Sequence, residues 1–348
     1  MSHPTGALRT AIEDARLPVE HRHLPDFLIV GSPKAGSTAL HDALAAHPQL
    51  YASPVKEPKF FLTGGAPPDP GGQRGPGDAH SAREWIWQRA GYETLFRDAP
   101  PGTLRFESTP FYLWQRDSHA RIARTLPDVK LIAVIRDPID RAFSNWTHLW
   151  ADGLEPEPDF LAACRAEARR VASGWAPFWR YLGLGRYGEQ FQNLFRHVAP
   201  GRVRAVRYRQ LIDAPQETLD DLCTFLGADT GVLPGLPDSN LGRWAADGAV
   251  NRVLRRAIRA GAAAGAHAPP QVWRRAQRPL LSALQRGGGP RPRLDPADRA
   301  RLVQAFTEDN ALLSRLLGAD YSDWLSLEGR GTYTVRRSWE PSNPLASK

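Results

Sequence analysis

The segment FLIVGSPKAGSTAL, residues 27–40, decides how this chain folds. Its first part, FLIVG, is apolar and rich in β-branched side chains, which predicts a buried strand that ends at Gly31. From Gly36 onward, GSTALHDALAAHP carries apolar side chains at helical spacing and stops before Pro48. The sequence therefore predicts a strand, a tight turn and a helix, with Lys34 in the turn.

The same alternation continues along the chain. Strands are predicted in LYASPVKEPKFFLT, TLRFESTPFYL, VKLIAVIRDP and RVRAVRYRQLI, and helices in EWIWQRAGYETLF, SHARIARTLPD, DRAFSNWTHLWADG, RYGEQFQNLFRHV and PQETLDDLCTFLGA. DPADRARLVQAFTEDNALLSRLLG is predicted to be one closing helix, capped by Asp295. Strands that alternate with helices predict an α/β fold, a single P-loop-like domain whose parallel β-sheet is flanked by helices, with lid-like insertions.

Composition changes mark the expected boundaries. We predict a polar leader over 1–24, a single domain over 25–328 and an irregular tail over 329–348. Within the domain, residues 64–80 form a Pro- and Gly-rich insertion that cannot pack a core. Residues 260–293 are basic and interrupted by Pro and Gly, which predicts a lid or subdomain.

The overall charge favours an anionic partner. The 348 residues carry a formal charge of +8, which suits nucleic acid, a lipid surface, a nucleotide or an acidic glycan. Composition does not choose among these partners. Only five of the 45 basic residues are lysine, and three of those, Lys34, Lys56 and Lys59, lie close together in the sequence.

Cysteine usage and the N-terminus indicate a cytoplasmic protein. Cys164 and Cys223 are isolated in amphipathic stretches, so we expect both to be buried thiols in a reducing compartment. The first residues lack an apolar signal core, and the chain has no run of about 18 apolar residues. These features predict a soluble protein without a transmembrane segment.

The turn after the first strand is suited to binding phosphate. A helix N-terminus offers unpaired backbone N–H groups and the positive end of the helix dipole. Gly31 and Gly36 allow the backbone to approach a ligand, Lys34 projects from the turn, and Ser37 and Thr38 add hydroxyls. The alternative is an ordinary strand–helix turn with a surface lysine.

A second cluster follows the other strongly apolar strand. A Walker loop would place its lysine directly after the second glycine, whereas Lys34 precedes Gly36. LIAVIRDP ends in Arg136 followed by Asp137, where an ATPase would have a magnesium-binding aspartate. Arg136, with Ser144 in the following helix, suits a second phosphate. Structural roles for Arg136 and Ser144 are the alternative.

These two motifs resemble those of the sulfotransferases that use 3′-phosphoadenosine 5′-phosphosulfate (PAPS). GSPKAGSTAL is similar to the family's 5′-phosphosulfate loop, and VIRDPIDRAFSNW is similar to its 3′-phosphate motif. HPQLYASPVKEPKFF, FESTPFYL and FTEDNALLSRLLGADYSDWL add to the resemblance. It covers most of residues 25–325 and is closest to the bacterial and glycan-modifying branches.

The resemblance implies roles for the loop residues. Lys34 would contact the bridging oxygen and the 5′-phosphate and stabilise negative charge as the sulfuryl group departs. Ala35 and the backbone N–H groups of Gly36, Ser37 and Thr38 would complete the cradle. The donor would be PAPS, the product 3′-phosphoadenosine 5′-phosphate (PAP), and no metal would be needed.

The resemblance also implies residues for the rest of the nucleotide. Arg136 and Ser144 would hold the 3′-phosphate. Tyr208 falls where related enzymes often have a residue near the adenine, and core packing is the alternative for it. Arg243, in SNLGRWAADG, could close a late loop over the 3′-phosphate.

Sulfuryl transfer also needs a base for the acceptor's proton. Glu57 is the candidate, because KEPKFF resembles the segment that supplies a catalytic glutamate in glycan-modifying sulfotransferases. Its neighbours Lys56 and Lys59 would lower its pKa and weaken it as a base, and a structural salt bridge is the alternative. His148, which follows the 3′-phosphate motif, is the reserve base, with a structural role as its alternative.

One departure from the family pattern concerns the acceptor. Some glycan sulfotransferases have lysine where FESTPFYL has Ser108, which weakens a heparan-like assignment. Glu107 could assist at the site or cap the loop.

The sequence thus predicts transfer of a sulfuryl group from PAPS to a hydroxyl on a glycan, glycolipid or secondary metabolite. The expected partner is a small-molecule, glycan or lipid-linked acceptor, and no nucleic acid. A nucleotide or sugar kinase with a degenerate loop, and a non-catalytic nucleic-acid or anion-binding protein, are the alternatives.

Overall fold

The computed structural model describes residues 23–68, 75–76, 85–237, 248–265, 270–286, 289 and 291–327. Most of the predicted leader, most of the 64–80 insertion, Arg243 and the predicted tail lie outside these residues. The domain limits at 25 and 328 therefore stay a prediction.

Within the described residues, five parallel strands form one sheet. They are β1 (Phe27–Gly31), β2 (Leu50–Ala52), β3 (Leu104–Ser108), β4 (Lys130–Ile135) and β5 (Val203–Arg207), in the order β2-β3-β1-β4-β5. In the central register, Leu28 lies opposite Glu107 on one side and Leu131 on the other. The predicted parallel α/β sheet is confirmed, and the carboxyl ends of its strands meet at one edge.

The helices are α1 (Ser37–Ala45), α2 (Arg89–Thr94), α3 (Arg116–Thr125), α4 (Pro138–Ala151), α5 (Phe160–Arg165), α6 (Glu167–Ala172), α7 (Tyr187–Leu194), α8 (Tyr208–Asp213), α9 (Pro215–Leu226), α10 (Ala249–Gly265), α11 (Pro270–Gln285), α12 (Pro296–Val303) and α13 (Thr307–Leu317). Each strand of the sheet except β2 leads into a helix, directly or through a loop. This is the strand–helix alternation that the sequence predicts.

Two boundaries differ from the prediction. The segment RVRAVRYRQLI is a strand only to Arg207, where the side chain of Gln210 accepts a hydrogen bond from the Arg207 N–H at 2.6 Å and starts α8. The closing helix is two helices, separated at residues 304–306 by a 3₁₀ turn that buries Phe306. The Asp295 cap is confirmed, since its carboxylate accepts from the Ala297 N–H at 2.7 Å.

Apolar packing covers both faces of the sheet. Leu28 and Val30 of β1 face one buried cluster, shared with α3, α7 and α13. Phe27 and Ile29 face another, shared with α1 and α9, because successive side chains of a strand point to opposite faces. A third cluster joins α4, α5 and the helices from α10 to α12.

The predicted fate of the cysteines is confirmed in part. Cys164 and Cys223 are both buried free thiols, while the compartment stays a prediction. Within the described ranges, none of the helices combines the length and apolar character needed to cross a membrane.

Candidate active site

The loop between β1 and α1 is shaped by a glycine and a lysine in left-handed conformations. Lys34 has a φ of 66°, and Gly36, the residue that starts α1, has a φ of 95°. A Cβ on Gly36 would lie 3.0 Å from Cδ2 of Tyr208. Both this close contact and the positive φ disfavour a side chain at this position. Among the residues that the structure describes, no side chain caps the start of α1. The first N–H groups of the helix are thus directed at the space where an anion would bind.

The two predicted phosphate motifs meet at this loop. Nη1 of Arg136, which follows β4, lies 3.5 Å from the carbonyl oxygen of Lys34. The Arg136 guanidinium also lies 4.7 Å from the ring centroid of Tyr208. Tyr208 therefore packs between Arg136 and Gly36 at the carboxyl edge of the sheet, which joins the two motifs into one site.

The helix α4 is held firmly at its N-terminus. Asp137 caps it by accepting from the N–H groups of Ile139 at 2.9 Å and Asp140 at 3.1 Å. Arg299 of α12 is paired with the carboxylate of Asp137 and lies 3.1 Å from that of Asp140. The start of α4, directly after Arg136, is thus fixed to α12.

One face of α4 carries the polar side chains that follow Arg136. Ser144, His148 and Asp152 recur at intervals of four residues, so they lie along one side of the helix and its C-terminal cap. Nε2 of His148 is 3.5 Å from Oδ2 of Asp152. The predicted 3′-phosphate serine and the reserve base therefore share a stripe.

Lys34 interacts electrostatically with His148 and Asp152 on this side of α4. Burial first, and then the positive charges of Arg291, Arg136 and Arg141, lower the pKa of Lys34 to about 8, against the opposing effect of Asp152. The guanidinium of Arg141 is fully buried. Within the described part of the chain, its Nε and Nη1 atoms have no hydrogen-bond partner. The site thus carries more positive charge than its own carboxylates neutralise.

Partial burial also changes the pKa values of His148 and Asp152. Burial, then the charges of Lys34 and Arg291, lower the pKa of His148 to about 3, so its imidazole is neutral at pH 7. Burial raises the pKa of Asp152 to about 6, against the opposing effect of Lys34 and Arg291. The pair therefore has a proton acceptor at neutral pH, and Asp152 is its more basic member.

Glu57 lies on a separate loop that is tied to α1. Glu57 and Lys59 both have left-handed backbones, with φ of 60° and 63°. Nζ of Lys56 donates to Oγ1 of Thr38 at 2.5 Å, which connects this loop to the predicted phosphate cradle. The Lys59 ammonium lies 5.5 Å from the ring centroid of Trp85. The hydroxyl of Thr38 is thus already engaged by a lysine.

Glu107 lies in the protein interior, close enough to Glu57 to be affected by its charge. Its carboxylate is fully buried and accepts from Tyr92 Oη at 3.2 Å and Thr109 Oγ1 at 2.9 Å. Burial raises its pKa to about 7, and the charge of Glu57 raises it as well, although the hydrogen bonds of Tyr112, Thr109 and Tyr92 oppose this. These hydrogen bonds connect Glu107 to α2 and to the residue that follows β3, and both alternatives for its role stay predictions.

Two residues that affect the pKa of Lys34 were missed by the sequence analysis. Asp152 could have been found, because it lies four residues after His148 at the end of a predicted helix. Arg291 had no such signal, since its effect on Lys34 depends on how the chain returns to the site after α11.

With this geometry in view, the comparisons with known proteins identify the family. A model described as "Sulfotransferase family" matches residues 25–231. That match covers more than half of the chain, so the chain belongs to the sulfotransferase family, a family of enzymes.

Individual relatives support the assignment. Heparan sulfate glucosamine 3-O-sulfotransferase 3B1 from Mus musculus is 29% identical over 207 residues, which are 59% of this chain and 47% of the relative. Heparan sulfate glucosamine 3-O-sulfotransferase 6 from Homo sapiens is 30% identical, over 59% of this chain and 53% of its own. The chain spans about half the length of these curated relatives.

A solved structure matches over a larger share. The crystal structure of a sulfotransferase from Alicyclobacillus acidocaldarius aligns with a TM-score of 0.65 and 26% identity, covering 86% of this chain and 98% of that one. The sheet and helices described above are therefore those of a sulfotransferase.

Proposed function

We propose that this protein transfers a sulfuryl group from PAPS to a hydroxyl acceptor. The observation that carries the proposal is the contact between the two phosphate motifs, in which Arg136 reaches the carbonyl oxygen of Lys34. A nucleotide with phosphates at two separated points would engage both motifs at once.

The charges and the shape of the site support this donor. Arg136 and Arg141 lie close enough to Lys34 to lower its pKa, so an anionic ligand would relieve the mutual repulsion of these three cations. The bare backbone at Gly36 leaves room for close approach of a phosphate. A ligand with several negative charges therefore suits these residues.

We assign the donor contacts as follows. Lys34 and the backbone N–H groups of Gly36, Ser37 and Thr38 would hold the 5′-phosphosulfate, with Ala35 buried beneath the loop. Arg136 and Ser144 would hold the 3′-phosphate. The ring of Tyr208 would support the nucleotide through Arg136, and Arg243 stays a prediction outside the described residues.

The chemistry is an in-line displacement at sulfur. When bound, PAPS supplies an activated sulfuryl group and a phosphate leaving group. The acceptor oxygen forms a bond to sulfur, the bond from sulfur to the bridging oxygen breaks, and its electron pair leaves with PAP. The ammonium of Lys34 stabilises this negative charge, and the proton of the acceptor hydroxyl goes to Glu57.

Glu57 is preferred as the base because its loop is joined to the cradle through Lys56 and Thr38. The pair of His148 and Asp152 is the second candidate, since both residues interact with the charge of Lys34. The two candidates lie on different elements, the loop after β2 and the helix α4, and can be tested separately.

The acceptor class follows the relatives only in outline. Two of them are named for action on heparan sulfate glucosamine. In this chain, Ser108 is an uncharged, fully buried residue, with its Oγ 2.7 Å from Nδ1 of the buried His41. We therefore propose a hydroxyl on a glycan, glycolipid or secondary metabolite. We also propose a bacterial source and a cytoplasmic setting, and the free thiols of Cys164 and Cys223 support the reducing compartment alone.

The proposal is tested by transfer from radiolabelled PAPS to a panel containing a desulfated polysaccharide, a glycolipid and a simple phenol. We expect label in at least one acceptor, with matching release of PAP, and none with Lys34→Ala. If PAP is bound but no acceptor of these classes is labelled, the acceptor proposal is wrong. If PAP is not bound at all, the donor assignment is wrong.

The base is tested with Glu57→Gln and Asp152→Asn in the same assay. Loss of a general base lowers kcat by about 100-fold or more, so Glu57→Gln should do so while PAP affinity is unchanged. Asp152→Asn should lower kcat by less than about tenfold. The reverse pattern would move the base to α4.

A further inference from the structure

The whole net charge of the protein is concentrated in one helical hairpin. Residues 249–286, which contain α10 and α11, have eight arginines and no aspartate or glutamate. Of the 45 lysines and arginines in the chain, the remaining 37 equal the 37 acidic residues in number. The rest of the chain is therefore neutral overall, and the formal charge of +8 belongs to this segment.

The inner face of the hairpin is anchored to the protein. Arg255, 2% exposed, donates to the carbonyl oxygen of Trp150, and its guanidinium lies 3.8 Å from the ring centroid of that tryptophan. Ile258 and Leu284 are fully buried in the third cluster. A Cβ on Gly153 would lie 2.9 Å from Cδ1 of Ile258, which shows how closely α10 approaches the end of α4. The hairpin is thus packed tightly, with its outer face turned to solvent.

The outer face of α10 exposes apolar side chains beside an arginine. Val250 is 74% exposed and Val253 is 64% exposed, more than any other large hydrophobic residue in the described ranges. They lie three residues apart on one face, and the exposed Arg256 follows at the same interval. Burial of these valines against a partner would be favourable.

The outer face of α11 carries a row of arginines. Arg275 and Arg278 are exposed and lie on one side, followed at helical spacing by Ser282 and, just past the end of the helix, by the exposed Arg286. Because α10 and α11 bury their inner faces in the same cluster, their outer faces are turned away from the same body of the protein. The surface they form is cationic with apolar side chains in it.

We propose that this outer face docks the protein on an anionic membrane surface. Exposed apolar residues interleaved with arginines, on helices too polar to insert fully, are the features of an interfacial membrane contact. A soluble polyanion such as nucleic acid would be bound by the arginines alone, and the exposure of Val250 and Val253 would then serve nothing. The inference does not depend on the sulfuryl transfer proposed above.

The test is co-sedimentation of the full chain with vesicles of phosphatidylglycerol and phosphatidylcholine, beside vesicles of phosphatidylcholine alone. We expect binding only to the anionic vesicles. An arginine near such a surface contributes about fivefold to partitioning, so Arg275→Gln with Arg278→Gln should weaken binding by about 25-fold. Val250→Asp with Val253→Asp should abolish it.

Matched controls separate this face from general charge. Arg124→Gln with Arg301→Gln removes two exposed arginines elsewhere, and Val232→Asp alters a valine that is 45% exposed outside the hairpin. Both should bind anionic vesicles as the unaltered chain does. If the double aspartate variant does not fold, Val250→Ser with Val253→Ser takes its place. This variant should keep the melting temperature of the unaltered chain and bind anionic vesicles more weakly.

Three results would overturn the proposal. Equal binding to neutral vesicles would show that lipid charge is unimportant. Binding to neither kind of vesicle would show that the protein does not dock on such membranes. The third result is binding to heparin or an oligonucleotide that is unchanged in both double valine variants. If vesicle binding were also unchanged in those variants, the face would be assigned to a soluble polyanion.

Discussion

Arg136 lies with its Nη1 atom 3.5 Å from the carbonyl oxygen of Lys34, a residue 102 positions earlier in the chain. The contact forms because Lys34 follows β1 and Arg136 follows β4, and these strands are neighbours in the sheet. Each motif alone predicts an anion site. Their contact supports the proposal that one ligand with two phosphates engages both motifs.

The glycine of the loop gives the first prediction. Gly36→Ala should weaken PAP binding by at least about tenfold, because the new Cβ would meet Tyr208 at 3.0 Å and displace the loop. It also places alanine at a positive φ, which costs about 1 kcal/mol or more.

Gly102→Ala is the control for that cost. Gly102 has a φ of 81°, and a Cβ there would meet nothing within 4 Å. This variant should lose similar stability and bind PAP normally by calorimetry. Equal loss of binding in both variants would mean that the contact between Gly36 and Tyr208 is unimportant.

Lys34 gives a prediction on pH. Because burial and neighbouring positive charges lower its pKa to about 8, the unliganded protein loses this ammonium as the pH rises through 8. PAP affinity should therefore fall by up to about tenfold per pH unit above 8, with proton uptake on binding. Calorimetry in buffers of different ionisation enthalpy measures that uptake.

Lys34→Arg is the matched variant for this effect, because a guanidinium keeps its proton in this range. The pH dependence above 8 should disappear, even if the affinity is lower. If the dependence persists in Lys34→Arg, another group is responsible.

Arg299 gives a prediction on stability. It is the buried partner of Asp137, so Arg299→Met leaves that carboxylate uncompensated and should cost about 3–5 kcal/mol in urea unfolding at pH 8. Burial already raises the pKa of Asp137 to about 6. The loss should therefore be smaller at pH 5, where Asp137 can take a proton.

Two comparisons complete that experiment. Arg301→Met alters an exposed arginine two residues away and should cost less than about 1 kcal/mol. Adding Asp137→Asn to Arg299→Met should restore part of the loss, since asparagine also caps a helix. Equal losses at pH 5 and pH 8 would show that charge is not the cause.

Glu107 gives a prediction on how stability falls as the pH rises. Its pKa is raised from 4.5 to about 7, chiefly by burial, so its contribution to folding is complete below about pH 4.5 and is lost as the pH rises through 7. This shift corresponds to about 3 kcal/mol. Glu107→Gln should therefore flatten the fall in unfolding free energy between pH 5 and 8.

Glu308→Gln, at an exposed position on α13, is the control and should leave that slope unchanged. Asp137 and Asp152 have raised pKa values as well, so Glu107→Gln should reduce the slope without removing it. A slope identical to that of the unaltered chain would place the titration elsewhere.

Local patterns were enough to predict the fold and the tight turn between β1 and α1. The unit of β1, turn and α1, and the order of Arg136 after β4, follow from hydrophobic periodicity and glycine placement within short windows. Parallel strands then bring both motifs to one edge.

What the sequence could not predict depends on contacts between distant segments. Arg291 influences Lys34 only because the chain returns to the site after α11. The end of β5 depends on one hydrogen bond from Arg207 to the Gln210 side chain, and the burial of Glu107 depends on packing by Tyr92 and Tyr112.

The most direct test of the central claim is calorimetric binding of PAP, beside ADP and ATP with magnesium. The account predicts that PAP binds at least about tenfold more tightly than either, and that Arg136→Ala weakens PAP by about 10- to 100-fold, as expected for a charge-assisted hydrogen bond. Arg124→Ala, an exposed arginine away from the site, should bind PAP normally. Preference for ATP with magnesium, or PAP binding that is indifferent to Arg136→Ala, would contradict the account.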